Sequence, residues 1–124
     1  MSFVVKNTSR GDAVIADKVE RAESFWTRLK GLLGRDGLAQ DEGLHIAPCN
    51  SIHMFFMKFP IDVAFLAEDG KVVKAVHSIK PWRATRVYLA AHSVLELPAG
   101  TLAKTGVQEG DLLRFEEKSP PPHA

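Results

Sequence analysis

The stretch Ile61-Asp-Val-Ala-Phe-Leu-Ala67, Glu68-Asp69-Gly70-Lys71, Val72-Val-Lys-Ala-Val-His-Ser-Ile79 decides the fold. Two β-prone apolar runs flank an Asp-Gly pair, the cue for a two-residue type I′ hairpin, because both central residues of that turn need positive φ. With Asp69-Gly70 as the loop, Leu66 faces Val73, Ala64 faces Ala75 and Asp62 faces His77. A slip of one residue would turn every side chain to the other face. On this register Asp62 shares a face with Ala64, Leu66, Val73 and Ala75, which sets a carboxylate in apolar company.

Upstream lies the most apolar and aromatic run of the chain, Cys49-Asn-Ser-Ile-His-Met-Phe-Phe-Met-Lys-Phe-Pro-Ile-Asp62. Its two alternating faces are both apolar, as in a strand covered on both sides. Pro60 cannot donate to a ladder, so the run divides into extended segments 51–57 and 61–67. Further back, Leu44 to Ala47 reads as a short strand stopped by Pro48, and Ala13 to Val19 as a strand continuing to about Arg21. Phe3 to Lys6 is β-prone, with a turn over Asn7 to Asp12. Between these, Ala22, Phe25, Trp26, Leu29, Leu32 and Leu33 form an apolar stripe at helical spacing, and Gly34 stands where a helix C-terminal glycine belongs.

Downstream, Pro81 to Thr85 is a loop, Val87 to Ala91 and Ser93 to Leu97 are β-like, and a short helical piece is expected around Leu102 to Lys104. Leu112 to Phe115 is the last strand. The expectation is one α+β domain over residues 1–116: a curved, mostly antiparallel sheet or partly open β-barrel, with one amphipathic helix at about 23–33 packed on it. Pro120, Pro121 and Pro122 mark residues 117–124 as a frayed tail.

At 124 residues, 45% hydrophobic and 25% charged, the chain is long enough for one core. A formal net charge of +1 offers no basic footprint for nucleic acid. No run approaches the roughly 18 apolar residues of a membrane span. The single cysteine and the lack of an N-terminal signal-peptide pattern read as a cytoplasmic protein.

The candidate chemistry centres on Asp62 and His77, with His53 close by. Such a pair suits general acid/base work or a polar ligand at a barrel mouth; the simpler role for Asp62 is a cap on nearby backbone N–H groups. Trp82 and Arg83, in a Pro-bounded loop, either stack on a ligand or close the barrel's end. His45-x3-Cys49-x3-His53 is interrupted by Pro48 and lacks the paired spacing of a zinc site, so no metal and no cofactor are expected. Cys49 has no flanking motif of a nucleophile.

Several segments resemble the domain of unknown function 192 family of bacteria and archaea. They are Arg28-Leu-Lys-Gly-Leu-Leu-Gly-Arg35, Ser51 to Asp62, Asp69-Gly-Lys-Val-Val73, Val94-Leu-Glu-Leu-Pro-Ala-Gly100 and Gly106-Val-Gln-Glu-Gly-Asp111. The resemblance implies a small α/β domain with a barrel-like sheet, and no established activity. The functional expectation is a small soluble binding module, its pocket formed by His53, Asp62, His77, Trp82 and Arg83. The ligand would be a polar small molecule, carbohydrates included, or a peptide segment. The alternative is a small enzyme using Asp62 and a histidine for proton transfer.

Overall fold

The computed structural model describes residues 2–22, 37–54 and 57–118. The strands are β1 (Ser2–Asn7), β2 (Ala13–Ala22), β3 (Glu42–Ile46), β4 (Ile61–Leu66), β5 (Val72–Ile79), β6 (Ser93–Pro98) and β7 (Leu113–Glu117). A 3-10 turn, Thr8–Arg10, follows β1, and a short helix α1, Thr101–Thr105, follows β6. The amphipathic helix expected at about 23–33 lies outside the described residues. Among the described residues these seven strands make one sheet in the order β5-β4-β6-β3-β2-β1-β7, with β2 and β3 paired in parallel and the other described pairs antiparallel.

The sheet curls until its two edge strands meet. Lys71 and Leu112 form an antiparallel bridge, Leu113 N–H donates to the Gly70 carbonyl at 3.0 Å, and Val72 N–H to the Asp111 carbonyl at 2.8 Å. Gly70 makes this seam possible: its φ is +95°, and a Cβ there would collide with the Leu113 carbonyl. Next to the seam, buried Asp111 accepts from Arg10 Nε at 2.7 Å, Asn7 Nδ2 at 2.9 Å and Gln108 N–H at 2.9 Å. Burial works against its charge, but these donors win and hold its carboxyl below the ordinary range.

Strand β4 is buried along its whole length and divides two apolar layers. Ala64 and Leu66 face the barrel interior with Val5, Val19, Leu95 and Leu97. Val63 and Phe65 face an outer layer with Leu44, Ile46 and Val94. That outer layer is covered by described residues of the aromatic run, Ile52, Met54, Met57 and Phe59 among them, which corrects the reading of 51–57 as an extended segment of the sheet. Among its described residues only His53 makes a bridge, to Ala84, while Met54 and Met57 are buried in the outer layer. Residues 87–91, expected to be extended, also belong to the cover: Tyr88 packs on Phe65 with ring centroids 4.6 Å apart. At the other terminus β7 runs on to Glu117, and Lys118 N–H donates to the Ser2 carbonyl, so pairing continues past the expected boundary at 116.

The hairpin register holds at its centre, where Ala64 pairs with Ala75, and breaks at both ends. Leu66 meets Val72 instead of Val73, beside the seam. Between Val63↔Val76 and Ile61↔Ile79, Asp62 opposes two residues, His77 and Ser78, in a β-bulge with Ser78 at φ 49°. The bulge turns the Ser78 N–H to Asp62 Oδ1 at 2.7 Å, so Asp62 bonds the backbone and the expected facing pair with His77 is not formed. Its second oxygen, Oδ2, accepts from Leu102 N–H at 2.8 Å. Gly100, at the N-cap of α1, has no side chain to cap with, and Asp62 supplies that cap from the sheet. Leu102 and Val107, both buried in the interior layer, then close this end of the barrel.

Because Asp62 is fully buried, Asp62→Ala leaves the buried Leu102 N–H and the part-buried Ser78 N–H without their acceptor. The expected cost in urea unfolding is about 3 kcal/mol, and for Asp62→Asn roughly half, since one acceptor survives. A loss below about 0.5 kcal/mol for Asp62→Ala would show that the carboxylate does not hold α1 to the sheet.

Candidate functional site

The end of the barrel away from α1 is open. Along β2 and β3, alternation turns Val19, Arg21 and His45 inward while Ala22, Leu44 and Ile46 face the outer layer. The parallel register sets Arg21 directly beside His45. Here the interior core stops, and a cavity of about 620 Å³ is lined by Arg21, His45, His92, Arg114 and Phe115, with Glu68 and Asp69 contributed by the β4–β5 turn.

Arg21 is held in place by aromatic faces. Its guanidinium carbon lies 4.2 Å from the Phe3 ring centroid and 5.8 Å from that of Phe115. His45 stacks on Phe115 with centroids 4.2 Å apart. Arg21 Nε donates to His45 Nδ1 at 3.2 Å. A guanidinium can only donate, so the neutral ring carries its proton on Nε2. That Nε2 is buried and has no hydrogen-bond partner among the described residues. Burial first, then the charge of Arg21 and the nearby His92, push the His45 pKa down to about 4, so the ring is neutral at pH 7.

The five residues singled out from sequence divide into separate places. Met54 N–H donates to the Arg83 carbonyl and Trp82 N–H to the Met54 carbonyl at 2.8 Å, which gathers His53, Trp82 and Arg83 on one ribbon of the cover. His53 and Arg83 are exposed, and Trp82 is 59% exposed, so α1 and not this tryptophan closes the barrel's end. His77 is exposed on edge strand β5. Asp62 sits at the α1 end with both oxygens on backbone amides, four residues or roughly 13 Å along β4 from Leu66 at the open end. Cys49 donates its thiol to the Ser51 carbonyl at 3.0 Å, and among the described residues no three metal-ligating side chains converge.

Arg21, His45 and Glu96 are what the sequence reading missed. His45 drew notice only for its spacing to Cys49, and its partner Arg21 arrives through a parallel pairing that leaves no local cue. Glu96 fell inside the β-like run Ser93 to Leu97 and was not singled out; it lies in β6 on the outer-layer side, flanked by Leu44 and Val63 on the adjacent strands. Burial there pushes its pKa up to about 7.

These two groups act on stability in opposite senses. The His45 contribution is complete above pH 6.5 and is lost as pH falls through about 4; the Glu96 contribution is complete below pH 4.5 and is lost as pH rises through about 7. Each is worth up to about 3 kcal/mol, so they offset between about pH 4.5 and 6.5. The wild-type Tm is therefore expected to be nearly level across that window in a calorimetric pH series. Glu96→Gln should leave a Tm that drops as pH is lowered, and His45→Phe one that climbs. Parallel profiles for all three proteins would refute the assignment.

Comparison with known proteins agrees with this architecture. The chain is 34% identical over 106 residues to the UPF0127 protein of Thermococcus kodakarensis, an alignment covering 79% of this chain and 64% of that one. Thus the chain spans under two thirds of that relative's length. A crystal structure of a protein of unknown function from Novosphingobium aromaticivorans superposes with a TM-score of 0.77 at 24% identity, covering 90% of this chain and 82% of that one. A Sinorhizobium meliloti protein, described as a proposed transcription regulator, matches with the same TM-score at 27% identity, covering 93% of this chain and 96% of that one. The model of the domain of unknown function 192 family, described as "Uncharacterized ACR", matches residues 5–115, and the chain belongs to that family.

Proposed function

We propose that this chain is a small binding module whose open barrel end holds a polar small molecule. One observation carries the reading: a cavity of about 620 Å³, within the size range of ligand sites, walled by Leu66, Leu113 and Phe115 and furnished with Arg21 and a buried, unpartnered His45 Nε2–H. The lining is about as polar as it is apolar, a mixture that suits a polar small molecule. The catalytic alternative loses its support at Asp62, whose oxygens both accept from backbone amides in a fully buried setting. A cytoplasmic location is part of this reading and rests on the single cysteine. Among the described residues no helix is long and apolar enough to cross a membrane.

The test is a thermal-shift screen against sugars, amino acids and nucleotides, with Ala67→Trp as the blocked control, since Ala67 lines the cavity. A ligand present at 100 times its Kd stabilises by about 2.7 kcal/mol, and Ala67→Trp should abolish that gain. A shift that persists in Ala67→Trp, or no shift with any class, overturns the mouth as a binding site. The Sinorhizobium protein's description adds one arm, a DNA mobility-shift assay. With a net charge of +1 the expected result is no retarded band at physiological salt.

A further inference from the structure

We propose that the mouth pocket takes a small zwitterion of the amino-acid type, its carboxylate on Arg21 and His45 and its ammonium toward Glu68 and Asp69. The inference rests on the binding-module reading and adds the chemical class of the ligand. Three observations carry it. His45 is only 7% exposed, and its Nε2–H has no acceptor among the described residues; a buried donor left in that state is costly, and a ligand oxygen relieves it. Arg21 has no carboxylate within ion-pair distance among the described residues, although it is locked over the Phe3 ring and committed to His45 through Nε alone. Its remaining guanidinium N–H groups form a planar fork suited to a carboxylate.

The third observation is the mixed charge of the rim. Arg114 and His92 add positive or polar groups, while the β4–β5 turn brings Glu68 and Asp69 to the same opening. Arg114 is already engaged, 3.2 Å from Glu116 and 3.7 Å from Asp12, which leaves Arg21 as the cation for the ligand. Two carboxylates at the rim disfavour a dianion such as phosphate and favour a ligand that brings one negative and one positive end. The apolar wall of Leu66, Leu113 and Phe115 then receives a side chain.

NMR titration of the full chain, isotope-labelled on arginine and histidine, distinguishes the outcomes. Free amino acids are expected to shift the Arg21 Nε and His45 ring signals saturably, whereas the matching amino-acid amides, which lack the carboxylate, bind about tenfold or more weakly. Amino acids capped by N-acetylation should be weakened as well, and inorganic phosphate should not saturate. His45→Phe keeps the stacking on Phe115 and removes the Nε2–H, and should weaken amino-acid binding by about tenfold; Glu96→Gln, on the other side of the sheet, should leave it unchanged. Equal binding of acids and amides overturns the proposal. So does saturable binding of sugars or phosphate at the mouth with amino acids inert, a result that leaves the binding-module reading standing. No binder at the mouth of any class removes both.

Discussion

Everything at the closed end of this barrel depends on one carboxylate. Asp62 stands on a strand buried on both sides and joins the bulged edge of β5 to the first turn of α1 through two backbone N–H groups. A five-residue helix is too short to be stable alone, and its own N-cap is a glycine without a capping side chain. The sheet therefore supplies what the helix lacks. The same contact fixes the Ser78 bulge, whose positive φ a serine adopts here with its amide committed to the carboxylate. A polar group in the core is tolerated because every oxygen it carries has a donor.

The two ends of the barrel then diverge in character. At the α1 end apolar side chains fill the interior and both oxygens of Asp62 have donors. At the other end the interior positions of β2 and β3 are occupied by Arg21 and His45, and the buried His45 Nε2 has no partner among the described residues. Arg21 is supported mainly by aromatic faces, an arrangement that orients a cation without neutralising it. That contrast, more than cavity size, separates the packed end from the open one.

Local chemistry was legible in the sequence wherever the cause was local. The Asp69-Gly70 turn announced its hairpin, and Ala64 faces Ala75 as its geometry requires. Legibility ended where a distant element intervened. The Ser78 bulge answers to an amide at Leu102, and the shift at Leu66 to the seam with β7; neither is visible from the hairpin. Asp62 is the buried carboxylate that its apolar face implied, but the N–H groups it caps belong to β5 and α1 and not to the neighbouring stretch of chain. Arg21 and His45 are separated by a crossover, and only the parallel register of β2 with β3 makes them neighbours. The aromatic run misled for a different reason: a cover over a sheet and a strand within one share the same composition.

The seam between β5 and β7 has a consequence for how the molecule is assembled. The walls of the open end draw on distant parts of the chain, with Arg21 from β2, Gly70 from the β4–β5 turn and Leu113 to Phe115 from β7. No fragment ending before β7 contains that cavity, and no opening of the seam leaves it intact. Occupancy of the mouth is thus thermodynamically tied to the most non-local closure in the fold, so the cavity serves as a gauge of whether the whole sheet has been completed.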